Sequence, residues 1–236
     1  MNFTFATFCF GERYYNQVNR FIDDISKQEF KSHLVVLTDN PEKITKKDFV
    51  KTANILDYNE NYLEYANNYY DFDFSVKRYS VRASVNFGFT KIILVDADMR
   101  VNPSLFLEEN INNSFIENSV SGPVTYNFSE QIQSNSELGR RLLHYESVFE
   151  FKTDKDKLGI MPEDCIQYLD IEKDKFIKFL DTWDKCIEHK KSDGLRNIPA
   201  GNIDEMCFSA LYNGIELQNN SNKSLNIIYA EHDKWY

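Results

Sequence analysis

Two aspartates, Asp96 and Asp98, close the segment Lys91-Ile92-Ile93-Leu94-Val95-Asp96-Ala97-Asp98-Met99-Arg100. Four aliphatic residues, Ile92 to Val95, run straight into them. In an extended chain, residues two apart point to the same side, so this spacing predicts that both carboxylates share a face and Ala97 takes the other. Like charges held that close repel unless a cation lies between them or water screens them. A hard divalent ion, manganese or magnesium, commonly takes one or two carboxylates together with substrate phosphate oxygens. The segment therefore predicts a site for Mn2+ or Mg2+; a solvated turn at a strand end is the alternative.

Other residues could serve the same chemistry. Lys77, Arg78 and Arg82 precede the aspartates by one helix and a turn, and Arg78 and Arg82, four apart, share a helix face. Beside a metal they suit a diphosphate; the alternative is a solvated basic face. Asp204 and Glu205 open a predicted helix, where carboxylates also complement the helix dipole. His144, with Arg140 and Arg141, reads as a helix surface or a feature of the acceptor side.

The elements that must position these residues follow from hydrophobic spacing. Phe3 to Phe10 is apolar at nearly every position, as in a strand covered on both faces, and Gly11 breaks it. Tyr15, Val18, Ile22 and Ile25 recur every three or four residues and predict an amphipathic helix. Leu34 to Leu37 is a second strand, stopped by Thr38-Asp39-Asn40-Pro41. Ile55-Leu56 is a short third strand. Val76, Tyr79, Ala83 and Phe87 mark a second helix ended by Gly88, before the strand Ile92 to Val95. The second half is less regular. It predicts strands at Val120 to Tyr126, Ile166 to Leu169 and Leu225 to Tyr229. It also predicts helices through Phe176, Phe179, Leu180, Trp183 and Ile187 and from Ile203 to Tyr212. This alternation predicts one α/β domain with a mixed, mostly parallel, Rossmann-like sheet and flanking helices. In such sheets ligands bind beyond the carboxyl ends of the strands, where Thr7, Phe8, Asp39, Asp96 and Asp98 fall.

Bulk composition removes several classes. The formal net charge of -10 argues against nucleic-acid binding, which needs a basic face. No apolar run approaches the roughly 20 residues of a membrane span. The start of the chain predicts no secretory leader, because Glu12 and Arg13 arrive too early. Cys9, Cys165, Cys186 and Cys207 lie far apart, without zinc spacing, and read as reduced thiols. The expectation is a soluble, cytoplasmic protein of undetermined oligomeric state.

Leu94-Val95-Asp96-Ala97-Asp98-Met99 resembles the D-x-D segment of GT-A fold glycosyltransferases. It is similar to the V-D-x-D-M form of the blood-group (ABO-like) family 6 and to the L-D-x-D segment of the glycogenin-like family 8. Thr4-Phe5-Ala6-Thr7, with Tyr14 downstream, resembles the first strand of both families. Val36-Leu37-Thr38-Asp39-Asn40-Pro41 resembles the F-T-D-Q-P turn of family 6. Asp204-Glu205 resembles the Asp-Glu of the W-H-D-E-S-H segment of family 6, with Gly201-Asn202-Ile203 where the tryptophan and histidine would be sought. Glu231-His232-Asp233-Lys234-Trp235 is similar in composition, not in spacing, to the H-F-x-G-x-x-K-P-W tail of family 8.

The resemblance implies a GT-A type glycosyltransferase. Residues 1–102 would form the nucleotide-sugar half, and 103–236 the acceptor half and tail. The donor would be a UDP-sugar, and the acceptor a hydroxyl of a saccharide or other molecule. Ala6, Thr7, Phe8 and Tyr14 would make the base and ribose pocket. Arg78 and Arg82 would reach the phosphates or the aspartates. Asp98, with Asp96 directly or through water, would hold the metal; His232 would be a further ligand and Lys234 a phosphate contact. Glu205 would lie at the anomeric carbon and Asp204 would hold sugar hydroxyls. If Glu205 attacks or shields that carbon, configuration is retained, the outcome the resemblance favours; if it takes the acceptor's proton, configuration inverts. A sugar nucleotidyltransferase would need a Gly-rich basic loop after the first strand, but residues 9–15 hold one glycine. A non-catalytic nucleotide- or sugar-binding module is the other alternative. A D-x-D phosphatase would carry Thr or Val where Arg100 stands.

Overall fold

The structure is a computed structural model. It describes residues 3–60, 62, 76–123, 125–126, 137–154, 161–162, 166–192, 203–221 and 226–230. Strand β1 (Phe3–Cys9) is buried at every position. Alternate residues serve opposite faces: Ala6 and Phe8 enter one core cluster, Phe3, Phe5 and Cys9 the other. This is why the segment is apolar throughout. Gly11 then turns the chain with φ 86°, a conformation that glycine adopts without strain. Its carbonyl accepts from the amides of Tyr14 and Tyr15. Helix α1 (Glu12–Lys27) follows and buries Tyr15, Val18, Phe21, Ile22 and Ile25.

Strands β2 (His33–Thr38) and β3 (Val50–Asn54) lie parallel to β1 on one side. The short strand expected at Ile55-Leu56 is instead one turn of 3-10 helix, Ile55–Asp57, whose Leu56 amide is capped by the Asn54 side chain at 3.0 Å. The strand proper lies just before it. As an edge strand, β3 buries only Ala53 and so lacks an apolar run. Helix α2 (Lys77–Asn86) crosses back to β4 (Lys91–Val95), which pairs parallel with β1 on its other side. Gly88, at φ 94°, ends the turn after α2.

The chain then forms β5 (Met99–Val101), α3 (Glu108–Asn113), β6 (Ser119–Gly122), β7 (Thr125–Tyr126) and α4 (Glu137–Val148). It continues through β8 (Met161–Pro162), β9 (Ile166–Asp170), α5 (Lys173–Ser192), α6 (Ile203–Tyr212), β10 (Glu216–Asn219) and β11 (Ile228–Ala230). The central sheet has seven strands in the order β10-β6-β9-β4-β1-β2-β3, all parallel except β9. It is the expected mixed α/β, Rossmann-like architecture, a mostly parallel sheet flanked by helices. Helices α2, α5 and α6 cover one face, and α1 and α3 the other. Strand β5 leaves this sheet and pairs antiparallel with β11, setting Ala230 opposite Met99. Among the described residues no helix is long and apolar enough to cross a membrane. Cys9, Cys186 and Cys207 are free and buried.

Candidate functional site

Because β1, β2 and β4 are parallel, their carboxyl ends share one edge of the sheet. That edge carries Phe8, Asp39, Asp96 and Asp98. The aspartates do not continue the strand as expected. β4 stops at Val95 and β5 starts at Met99, so Asp96, Ala97 and Asp98 make a tight turn between them. The same-side argument for extended residues therefore does not apply here.

The structure gives the two carboxylates different surroundings. Lys77, the first residue of α2, is buried, and its Nζ lies 2.8 Å from Asp96 Oδ1. The same ammonium sits 5.9 Å from the centre of the Phe8 ring. A cation between a carboxylate and an aromatic face is held by both. Asp98 is half-buried and, among the described residues, has no hydrogen-bond or ion-pair partner.

The expected phosphate residues Arg78 and Arg82 turn elsewhere. Arg78 Nε lies 2.6 Å from Asp184 Oδ1, and its NH2 donates to the Tyr79 hydroxyl at 2.7 Å. Arg82 NH2 lies 2.6 Å from Asp184 Oδ2 and 3.1 Å from Asp181 Oδ1. Both thus tie α2 to α5. The basic residue that meets the D-x-D is Lys77. Sequence spacing had it in the same basic group but could not say which face of α2 looks at β4.

Of the expected base and ribose pocket, Ala6 and Thr7 are fully buried within β1, Phe8 is nearly so, and Tyr14 is exposed on the first turn of α1. The Thr7 hydroxyl oxygen is buried without a hydrogen-bond partner among the described atoms. The neighbour of Tyr14 was missed: Tyr15 is buried and donates its hydroxyl to Asp39 Oδ1 at 2.6 Å. Burial and this bond to the carboxylate push the Tyr15 phenol up to about 12. Burial likewise lifts the nearby Cys9 thiol to about 12, Thr38 opposing and Asp39 adding, which keeps it protonated and unreactive at neutral pH. Tyr62, packed on Phe10 at 4.4 Å between ring centres, closes this corner.

Glu205 is fully buried at the start of α6, with its Oε1 accepting from the Tyr145 hydroxyl of α4 at 3.0 Å. Helix α6 packs on α4, α5 and strands β6, β8 and β10. Arg141, expected on a helix surface or on the acceptor side, is fully buried one turn before Tyr145, while Arg140 is exposed. The Asp204 side chain, His232 and Lys234 lie outside the described residues.

The side chains at this edge offer carboxylate oxygens, which are ligands for hard cations. Among the described residues no three His, Cys, Asp or Glu side chains gather to cage an ion. One half-buried carboxylate and a second already paired suit a hard cation that draws its other ligands from a substrate's phosphates and water. No family model matches this sequence, and no curated protein is similar enough to count as a match.

Proposed function

We propose that this protein is a metal-dependent glycosyltransferase of the GT-A type, taking a sugar from a nucleotide sugar, a UDP-sugar, to an acceptor hydroxyl. The observation that carries the reading is the unequal treatment of the two aspartates at the ligand edge of a parallel sheet. Lys77 neutralises Asp96 and fixes it. Asp98 is left to accept a cation, with Asp96 close behind. Manganese or magnesium bound there would supply Lewis-acid stabilisation of the negative charge that develops on a leaving diphosphate.

The chain's own groups have separable tasks in this reading. Lys77 adds a fixed positive charge beside the diphosphate and costs no reorganisation on binding, because it is already ordered. Tyr14 offers an exposed aromatic face for a base. Asp39, held by Tyr15, offers a hydrogen-bond acceptor of fixed direction at the end of β2. Arg78 and Arg82 keep α2 in register with α5 so that Lys77 arrives at Asp96. Asp204 and Glu205 enter on the resemblance alone. Glu205 is closed off from solvent in this structure, and a sugar would have to open its surroundings to reach it.

Calorimetric titration of UDP with and without manganese tests the proposal. Tighter UDP binding with metal, abolished in Asp98→Asn, is the expected result; UDP binding indifferent to manganese would sink it. Slow donor hydrolysis that disappears in Glu205→Gln, with UDP affinity kept, would place Glu205 in the chemical step. Lost donor binding would remove it from that step.

A further inference from the structure

We propose that the ion pair between Asp24 of α1 and Arg100 of β5 is a positioning device for Asp98; the inference rests on the metal reading above. Three residues separate β4 from β5, and β5 does not belong to the central sheet. It pairs with β11 over three residues only. A ribbon that short is marginal on its own and cannot fix the turn that carries Asp98. Met99 and Val101 are buried in the cluster that contains Phe21, Ile22 and Ile25 of α1. Apolar burial sets depth, but it has no direction.

Direction comes from Arg100. Its Nε lies 2.6 Å from Asp24 Oδ2 and its NH2 3.0 Å from Asp24 Oδ1, a two-pronged contact with a planar fork. The Val101 amide adds a longer bond to Oδ2 at 3.5 Å. Burial alone would raise the Asp24 carboxyl, yet Arg100 outweighs it and the group is held below its ordinary value. Asp24 sits in the last turn of α1, which is packed on β1. The clamp therefore refers the position of Arg100, and of Asp98 two residues earlier, to the rigid sheet. The pair is neutral as a whole, so its effect on a cation at Asp98 is geometric rather than electrostatic. A hard ion bound largely by substrate oxygens tolerates little displacement of its protein carboxylate.

Two variants that conserve charge test this: Asp24→Glu, which lengthens the reach by one methylene, and Arg100→Lys, which keeps the cation and loses the fork. Free Mn2+ is followed by electron paramagnetic resonance in the presence of UDP, below the melting temperature of each variant. Mn2+ affinity should fall about tenfold, the lower end of what lost outer support costs a metal site. UDP affinity without metal should not change. Unchanged Mn2+ affinity in both variants would overturn the inference. So would an equal loss of metal-free UDP binding, which would mean general loosening. If one variant fails to fold, the other still decides. The wild-type arm separates the two layers: no Mn2+ uptake beside UDP there removes the site reading itself, and this inference with it.

Discussion

Asp96 and Asp98 look alike in the sequence and should behave oppositely when each is changed to asparagine. Asp96 is the counter-ion of a lysine whose side chain is 3% exposed, while Asp96 itself is 35% exposed. Asp96→Asn leaves an ammonium buried against an amide and the Phe8 ring. Breaking a buried pair by removing one partner costs about 3–5 kcal/mol. The amide oxygen can still accept from Nζ and water reaches this position, so the expected loss is about 2–3 kcal/mol. For a chain of 236 residues each kcal/mol moves the melting temperature by about 2–4 °C, which gives a fall of about 4–12 °C. Asp98→Asn removes a half-buried carboxylate that has no partner among the described residues. Its stability should stay within about 0.5 kcal/mol of wild type, while metal-dependent UDP binding disappears.

Thermal denaturation by circular dichroism reads the first quantity and calorimetry the second. Lys77→Met added to Asp96→Asn checks the cause. It removes the buried ammonium at similar volume, so the double variant should melt above the Asp96→Asn single. Equal melting shifts for the two single asparagine variants would refute the reasoning. So would a double variant that melts lower still.

Three further outcomes follow from the same geometry. Asp184→Asn deprives both Arg78 and Arg82 of a partner and should cost about 2–4 kcal/mol in urea denaturation, somewhat less than a fully buried pair because Asp184 is partly exposed. UDP affinity should stay as in wild type; weaker UDP binding at unchanged stability would return these arginines to the phosphate site. Tyr145→Phe withdraws the hydroxyl bonded to the fully buried Glu205 and should cost about 1–3 kcal/mol, whereas no loss in urea would show that Glu205 does not depend on it. Burial, with Lys51 adding, holds the His33 imidazole below its ordinary 6.5. The unfolded chain then binds more protons below about pH 6.5, so stability should rise as pH climbs toward that value. His33→Phe should flatten the rise in melting temperature between pH 5 and 7, and an unchanged slope would assign it to other groups.

What could be read from the sequence was local. β1, β2, β4 and β9, the helix at Phe176 to Ile187 and α6 carry dense apolar runs or clear periods, because each is buried on one or both faces. The missed elements lack that mark. β3 and β10 are the two edges of the sheet, and Val-Lys-Thr-Ala-Asn and Glu-Leu-Gln-Asn expose most of their side chains. β5 is three residues long and packs mainly on β11 and α1. The D-x-D was visible as a motif, but its turn was not, since two aspartates after a strand fit an extended chain equally well. The choice between Lys77, Arg78 and Arg82 was also out of reach. It depends on Asp181 and Asp184, about a hundred residues later, drawing two of the three away. Arg141 misled for the same reason: a basic residue in a polar stretch reads as exposed until α4 is packed.

If the proposed reading holds, the charges at the ligand edge give a reason for a metal there. The protein carries a formal net charge of -10, and Asp39, Asp96 and Asp98 add three carboxylates where a diphosphate would lie. Two are already answered from within: Tyr15 donates to Asp39, and Lys77 neutralises Asp96. The two arginines that could have met phosphates are spent on α5. Of these three, Asp98 remains, on the three-residue turn between β4 and β5. Among the described residues, an anionic ligand approaching this edge meets the fixed cation Lys77 and the open negative charge of Asp98. A divalent ion at Asp98 reverses that sign locally and links protein to ligand through shared oxygens. The dependence of UDP binding on manganese should therefore be steep, and it should vanish with Asp98 alone.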